Sequence, residues 1–259
     1  MKRIEFVWSL ALSAGLVWAA GCASEPAKPA PQPTLQPKEA TAPSPADGAG
    51  PKVVLPPGAG QPPVPFEGEG WQAMFDGQSL AGWRETPFAG HGEVRCEDGV
   101  IRLDMGSPFT GINWTNEFPR VNYEVAFDAM RIMGSDFFCG LTVPVGTNCC
   151  SLVVGGWGGS LVGISSIDGM DASENETTKF VNFESGRWYR IRLRVTEKRI
   201  EGWIGKEKLV DLQTTDRRIS VRPGDIELSQ PFGLSAWQTA AAFREIKFRR
   251  VNGPAGKEN

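Results

Sequence analysis

From about Phe66 onward the sequence predicts an all-β fold, a two-sheet antiparallel β-sandwich, on three observations. Tyr189-Arg190-Ile191-Arg192-Leu193-Arg194-Val195 alternates strictly, with Tyr189, Ile191, Leu193 and Val195 on one face, which is the period of a half-buried strand. Short apolar runs recur along the chain, most of them separated by Gly-rich or acidic turns. No stretch carries a sustained 3.6-residue apolar period, so a helical or α/β architecture is excluded. In chain order the predicted strands are Val100–Asp104, Val121–Met130, Phe137–Val143, Cys150–Val154, Leu161–Ile167, Lys179–Phe183, Tyr189–Val195, Arg199–Ile204, Lys208–Leu212, Phe232–Trp237 and Phe243–Val251. Val121–Met130 sets Tyr123, Val125 and Phe127 on one side and Glu124, Ala126 and Asp128 on the other. A jelly roll is the expected topology. An immunoglobulin-type sandwich fits less well, because the domain is too long and lacks the Cys–Trp–Cys spacing.

The segment before this domain reads as an address and a tether. Lys2 and Arg3 precede an apolar run from Phe6 to Ala20, too short to span a bilayer comfortably and patterned as a signal peptide, residues 1–21. It ends in Ala19-Ala20-Gly21-Cys22, which resembles a bacterial lipobox with Ala19 in place of leucine. The resemblance implies lipidation of Cys22, and Ala23 in place of aspartate implies passage to the outer membrane. Residues 22–65 are rich in Pro, Ala, Gly, Gln, Ser and Thr, a composition that cannot offset chain entropy by burial. They are expected to form a disordered, extended linker, as is the short tail 253–259. The expected location is the cell envelope, lipid-anchored.

Loss of Lys2, Arg3 and Glu5 with the signal segment moves the net charge from -3 to -4. Nucleic acid is not expected as a partner, since phosphate binding requires a basic footprint. Cys96, Cys139, Cys149 and Cys150 remain in an oxidising compartment. Cys139 and the Cys149-Cys150 pair flank a predicted turn, and opposite orientation of adjacent strand residues lets only one of the pair face Cys139. Cys139–Cys150 is the expected disulfide. With one histidine and no Cys-x-x-Cys, no zinc site is expected.

Several stretches together resemble the 3-keto-disaccharide hydrolase-like family. Phe75-Asp76-Gly77-Gln78-Ser79-Leu80-Ala81-Gly82-Trp83 is similar to its opening motif, and Glu97-Asp98-Gly99-Val100-Ile101 to its second strand. Gly186-Arg187-Trp188-Tyr189-Arg190-Ile191 with Ile200-Glu201-Gly202-Trp203-Ile204 resembles its late hairpin, and Phe232-Gly233-Leu234 with Phe243–Arg249 its last strands. The resemblance implies a concanavalin A-like jelly roll over residues 66–252 and cleavage of glycosides already oxidised at C3. Where members carry an Asn-Ser-Gly-type strand start and a Tyr-x-x-Gln/Glu strand, this chain reads Gly134–Gly140 and Ser151–Gly159.

The chemistry implied is undemanding. A 3-keto group acidifies the C2 proton, so one modest general base can remove it and expel the C1 substituent. His91 and the nearby Glu93 are catalytic candidates, His91 as the base because a histidine side chain can exchange protons near neutral pH, the plainer reading being a solvated loop histidine. Asp136 and Glu124 are carboxylates within reach of a concave sheet face, the first a catalytic and the second a substrate-binding candidate. Trp157, between two glycine pairs, suits a sugar-stacking platform or a core plug. Asp168, a substrate-binding candidate, heads an oxygen-rich segment with Asp171, Glu174 and Glu176, matching the ligand type of a structural calcium but not EF-hand spacing, the plainer reading being a solvated acidic loop. Two functions are expected of such a domain: 3-keto-glycoside cleavage, or non-catalytic glycan or envelope binding.

Overall fold

The computed structural model describes residues 62–251. The expected signal peptide and tail, Cys22 and most of the expected linker lie outside the described residues. Within them are fifteen strands: β1 Gln72–Ala73, β2 Trp83–Glu85, β3 Val94–Glu97, β4 Val100–Leu103, β5 Phe109–Trp114, β6 Tyr123–Gly134, β7 Cys139–Val145, β8 Asn148–Gly156, β9 Leu161–Ser165, β10 Lys179–Phe180, β11 Trp188–Val195, β12 Arg199–Ile204, β13 Glu207–Gln213, β14 Gly233–Trp237 and β15 Thr239–Arg250. A single 3₁₀ turn, Asp225–Ser229, precedes β14.

The strands form two antiparallel sheets. The first runs β13-β12-β11-β6-β15-β4-β3, with β1 paired to β15, and the second runs β10-β9-β8-β7-β14-β5-β2. Alternation along β11 and β6 brings Ile191 opposite Phe127 and Leu193 opposite Val125, and all four are fully buried. Each such side chain contributes about 1.5–3 kcal/mol on burial. Tyr123 joins the layers, its hydroxyl donating to the Pro144 carbonyl at 2.6 Å.

β1, β2, β3 and β5 are not among the strands that alternation predicts. In β5 the pattern is broken by Gly111, where a Cβ would lie 2.9 Å from the Leu234 carbonyl oxygen and 2.9 Å from the Phe88 ring. Close approach of neighbours requires the glycine, and the glycine hides the strand.

The expected Cys139–Cys150 bridge is corrected: Cys96, Cys139, Cys149 and Cys150 are all free. The β7–β8 turn falls at Gly146-Thr147, with Val145 opposite Asn148, so Cys139 faces Val154 and Cys150 faces Val143. Both thiols point into the core but lie four strand positions apart, about 13 Å at strand rise. A bridge would need Cα atoms within roughly 7 Å.

At the start of the domain the chain is already held to the first sheet. Arg190 Nη2 donates to the Val64 carbonyl at 2.6 Å, and its guanidinium lies 3.9 Å from the Phe66 ring centroid.

Candidate functional site

The outer face of the second sheet carries the site. Alternation turns Phe109 of β5, Ser151 and Val153 of β8, Ser165 of β9 and Trp237 of β14 away from the inter-sheet core. Their neighbours Ile112, Leu152, Ile164 and Leu234 fill that core. The connection from β13 to β14 returns across this outer face. Its Val221 and Ile226 pack on Phe88, Phe109 and Cys149, and Asn113 Nδ2 donates to the Leu228 carbonyl at 3.1 Å. Residues 222–226 of that crossing form one wall of a cavity of about 490 Å³ on this face, within the range of small-molecule sites, roughly 300–1,000 Å³.

The cavity has aromatic walls. Phe109 and Trp237 meet edge to face at 4.5 Å, with the Phe137 ring centroid 6.0 Å from that of Phe109. Trp157 stands at the mouth, 43% exposed, on a turn closed by Gly159 N–H donating to the Gly156 carbonyl at 3.1 Å. Its φ of 46° is left-handed, uncommon for a residue with a bulky side chain.

Three carboxylates line the cavity, the exposed Asp225 on the crossing and two, Asp171 and Asp136, that differ in what they have left to offer. Asp171 is fully engaged: Oδ1 accepts from Ser165 Oγ at 2.5 Å and from the Ala172 amide at 2.7 Å, while Oδ2 pairs with Arg222 Nη1 at 2.5 Å. Asp136 accepts only from the Phe137 amide, at 2.7 Å through Oδ1, leaving Oδ2 without an intramolecular partner among the described residues. Ser151, held at 2.8 Å from Thr142 Oγ1, and the Arg222 guanidinium add donors to the same space.

Of the residues that sequence reasoning singles out, the fold brings Asp136 and Trp157 into the cavity. Four stand elsewhere. His91 lies on the β2–β3 connection, its Nδ1 2.9 Å from the Gly92 carbonyl and 3.8 Å from Glu85, and does not line the cavity. Glu93 is an exposed carboxylate 3.7 Å from Arg95. Glu124 is buried on the outer face of the first sheet, on the far side of the sandwich, between Arg192 at 2.9 Å and Arg249 at 2.7 Å. Asp168 ties two connections together, accepting from the Arg218 amide at 2.7 Å and from Arg217 Nε at 2.6 Å. Those bonds, the amide's first, hold its carboxyl below the usual range.

Three of the four carboxylates in the acidic segment considered for calcium turn to arginines, Asp168 and Glu176 to Arg217 and Asp171 to Arg222, while Glu174 accepts from the Asp171 amide at 3.3 Å. Among the described residues no group of three or more His, Cys, Asp or Glu is placed to hold a metal ion. Phe137, Trp237, Asp171 and Arg222 are lining residues that sequence reasoning did not select. Asp171 sat in the segment noted as acidic, but nothing local marks Arg222 or Trp237 as its neighbours.

The site is thus an aromatic-walled sheet face of a two-sheet jelly roll, lined by the engaged Asp171 and by Asp136 and Asp225, neither of which is ion-paired among the described residues. Residues 70–249 match the 3-keto-alpha-glucoside-1,2-lyase-like domain family, and the chain belongs to it. Among solved structures, a putative glycosyl hydrolase from Parabacteroides distasonis is 16% identical with a TM-score of 0.46, covering 71% of this chain and 95% of that one. The carbohydrate-binding module CBM66 from Bacillus subtilis is 13% identical with a TM-score of 0.42, over 65% of this chain and 95% of that one. The Bacillus licheniformis β-glucanase is 8% identical with a TM-score of 0.46, over 72% and 100%. No curated protein sequence matches the chain.

Proposed function

We propose that the protein cleaves 3-keto-glycosides in the cavity of the second sheet, held in the cell envelope by a lipid on Cys22. The observation that carries the reading is the placement of Asp136, with a free carboxylate oxygen, beside Trp157, Trp237 and Phe137 in one cavity. The aromatic faces take the CH-rich faces of the sugar, and Asp136 removes the proton from C2. The electron pair of the C2–H bond forms the C1–C2 double bond while the C1–O bond breaks, and the leaving oxygen departs with that bond's electrons. Arg222 and the Ser151 hydroxyl polarise the 3-keto oxygen, on which negative charge develops during proton removal. Water adding afterwards across the double bond gives net hydrolysis. His91 has no part in this scheme, because it does not line the cavity.

A non-catalytic glycan-binding module is the second reading, favoured by the engagement of Asp171, which leaves few groups free for proton transfer. Asp136→Asn separates the two. For the enzyme, it lowers kcat on an aryl 3-keto-glucoside by about a hundredfold or more, with binding retained. The unoxidised glucoside stays intact with either protein. A wild-type protein that binds the ketosugar without consuming it rules out the catalytic reading. For the anchor, Cys22→Ser moves the protein from the membrane to the soluble fraction, and sedimentation unchanged after a high-salt wash overturns that part.

A further inference from the structure

Arg131, near the end of β6 in the first sheet, is 6% exposed. Its side chain reaches across to the second sheet. Nη2 donates to the Gly159 carbonyl at 2.7 Å and to the Gly155 carbonyl at 3.4 Å, and Nη1 to the Phe183 carbonyl at 3.5 Å. No carboxylate lies within ion-pair distance among the described residues, and its Nε is buried without a partner. The guanidinium carbon is 5.2 Å from the Phe138 ring centroid. Burying a cation without a counter-ion is costly, and removal of its remaining carbonyl partners would raise that cost further.

The glycines of Gly155-Gly156-Trp157-Gly158-Gly159 answer to this guanidinium. A Cβ on Gly155, whose φ is 79°, would stand 2.7 Å from Arg131 Nη2; one on Gly159, at φ 105°, would stand 3.3 Å from Nη1 and Nη2. The β8–β9 register shifts between Val154 and Gly156, so the chain bulges where it wraps the arginine. The same turn sets Gly156 against Asp136: a Cβ on Gly156 would lie 3.8 Å from Asp136 Oδ1. Burial pulls the Arg131 pKa down, and the fields of Tyr189 and Asp136 act against that.

We propose that Arg131 is a positioning residue of the cavity: by clamping the carbonyls of Gly155 and Gly159 from beneath, it fixes the turn that presents Trp157 beside Asp136. It does not line the cavity and acts only through that turn. The role in substrate binding rests on Trp157 being a sugar platform, whereas the clamp itself does not.

The test uses the full mature chain as wild type, Arg131→Met, Arg131→Lys, Trp157→Ala and the double variant Arg131→Met/Trp157→Ala, with an aryl 3-keto-glucoside as the probe. Amide hydrogen exchange is followed in residues 155–160, with β11 as the reference. The expected result for Arg131→Met is faster exchange in 155–160 than in β11, and KM raised about tenfold with kcat little changed, the pattern of lost uniform binding. Trp157→Ala should raise KM by a similar factor, and the double variant should add nothing further. Arg131→Lys should restore part of the effect. If Arg131→Met fails to fold, Gly155→Ala disturbs the clamp from the loop side and is read in the same way. Equal protection of 155–160 and β11 in the variant, or additive KM effects in the double variant, overturns the proposal. An unchanged KM in Trp157→Ala instead removes the platform reading, and the exchange measurement alone then decides the clamp.

Discussion

Asp171 and Arg222 are ion-paired at 2.5 Å across the wall of the cavity, and they belong to connections that meet only in the folded chain. Asp171 follows β9 in the second sheet, while Arg222 lies on the crossing from β13 of the first sheet to β14 of the second. Ser166 and Ser220 exchange backbone hydrogen bonds at 2.6 and 3.2 Å beside them, so the two connections run as one seam.

Arg222→Ala is expected to cost little stability, about 0–1 kcal/mol, because the arginine is 59% exposed and its pairing is screened. Asp171 keeps Ser165 and the Ala172 amide. The expected loss is in turnover of the 3-keto substrate, through the missing guanidinium. Thermal melts beside steady-state kinetics check this, and a large fall in Tm with unchanged kinetics contradicts it.

Glu124→Ala leaves Arg192 and Arg249 without their buried carboxylate and should destabilise the domain by about 3–5 kcal/mol. Catalysis per folded molecule should not change, since the residue lies on the opposite face from the cavity. Urea denaturation with activity measured at low denaturant separates the two effects.

Lowering the pH should open the seam between Asp168, Glu176 and Arg217. The Arg218 amide and Arg217 hold Asp168 below its ordinary value of 3.8, and Arg217 does the same for Glu176, whose ordinary value is 4.5. Folded carboxylates that bind protons less readily than unfolded ones contribute stability that is fully present above those ordinary values and lost as pH falls through the depressed ones. Asp168→Asn should therefore flatten the acid limb of a Tm-against-pH profile. An acid limb identical to wild type counts against the assignment.

The four cysteines of the domain should be found as thiols by mass mapping without reduction, and a reductant should leave Tm unchanged. Burial pushes the Cys139 and Cys150 thiols far up and removes them from solvent, so both should alkylate only after unfolding. A Cys139–Cys150 peptide in the non-reduced digest would reverse this.

Period-2 alternation in β6 and β11 was readable in the sequence because it is local, and with the turn signals it predicted the two-sheet class. The run from Phe75 to Trp83 and the closing strands carried the family resemblance, since those positions mostly build scaffold. The site was legible only where a single turn or strand start announces itself, at Trp157 among its glycines and at Asp136 before Phe137.

What tertiary structure decided was which polar groups share a space. Glu124 and Asp136 stand twelve residues apart as similar acids. β6 turns the first onto the outer face of one sheet, under two arginines, and the chain after β6 brings the second to the cavity of the other. The position of the β7–β8 turn, two residues later than a Cys139–Cys150 pairing needs, separated two thiols that sequence spacing had placed together. Asp171 met Arg222, and Arg131 met Gly155 and Gly159, through crossings between sheets. Those contacts join segments with no common period, so the alternation that specifies strands contains no record of them.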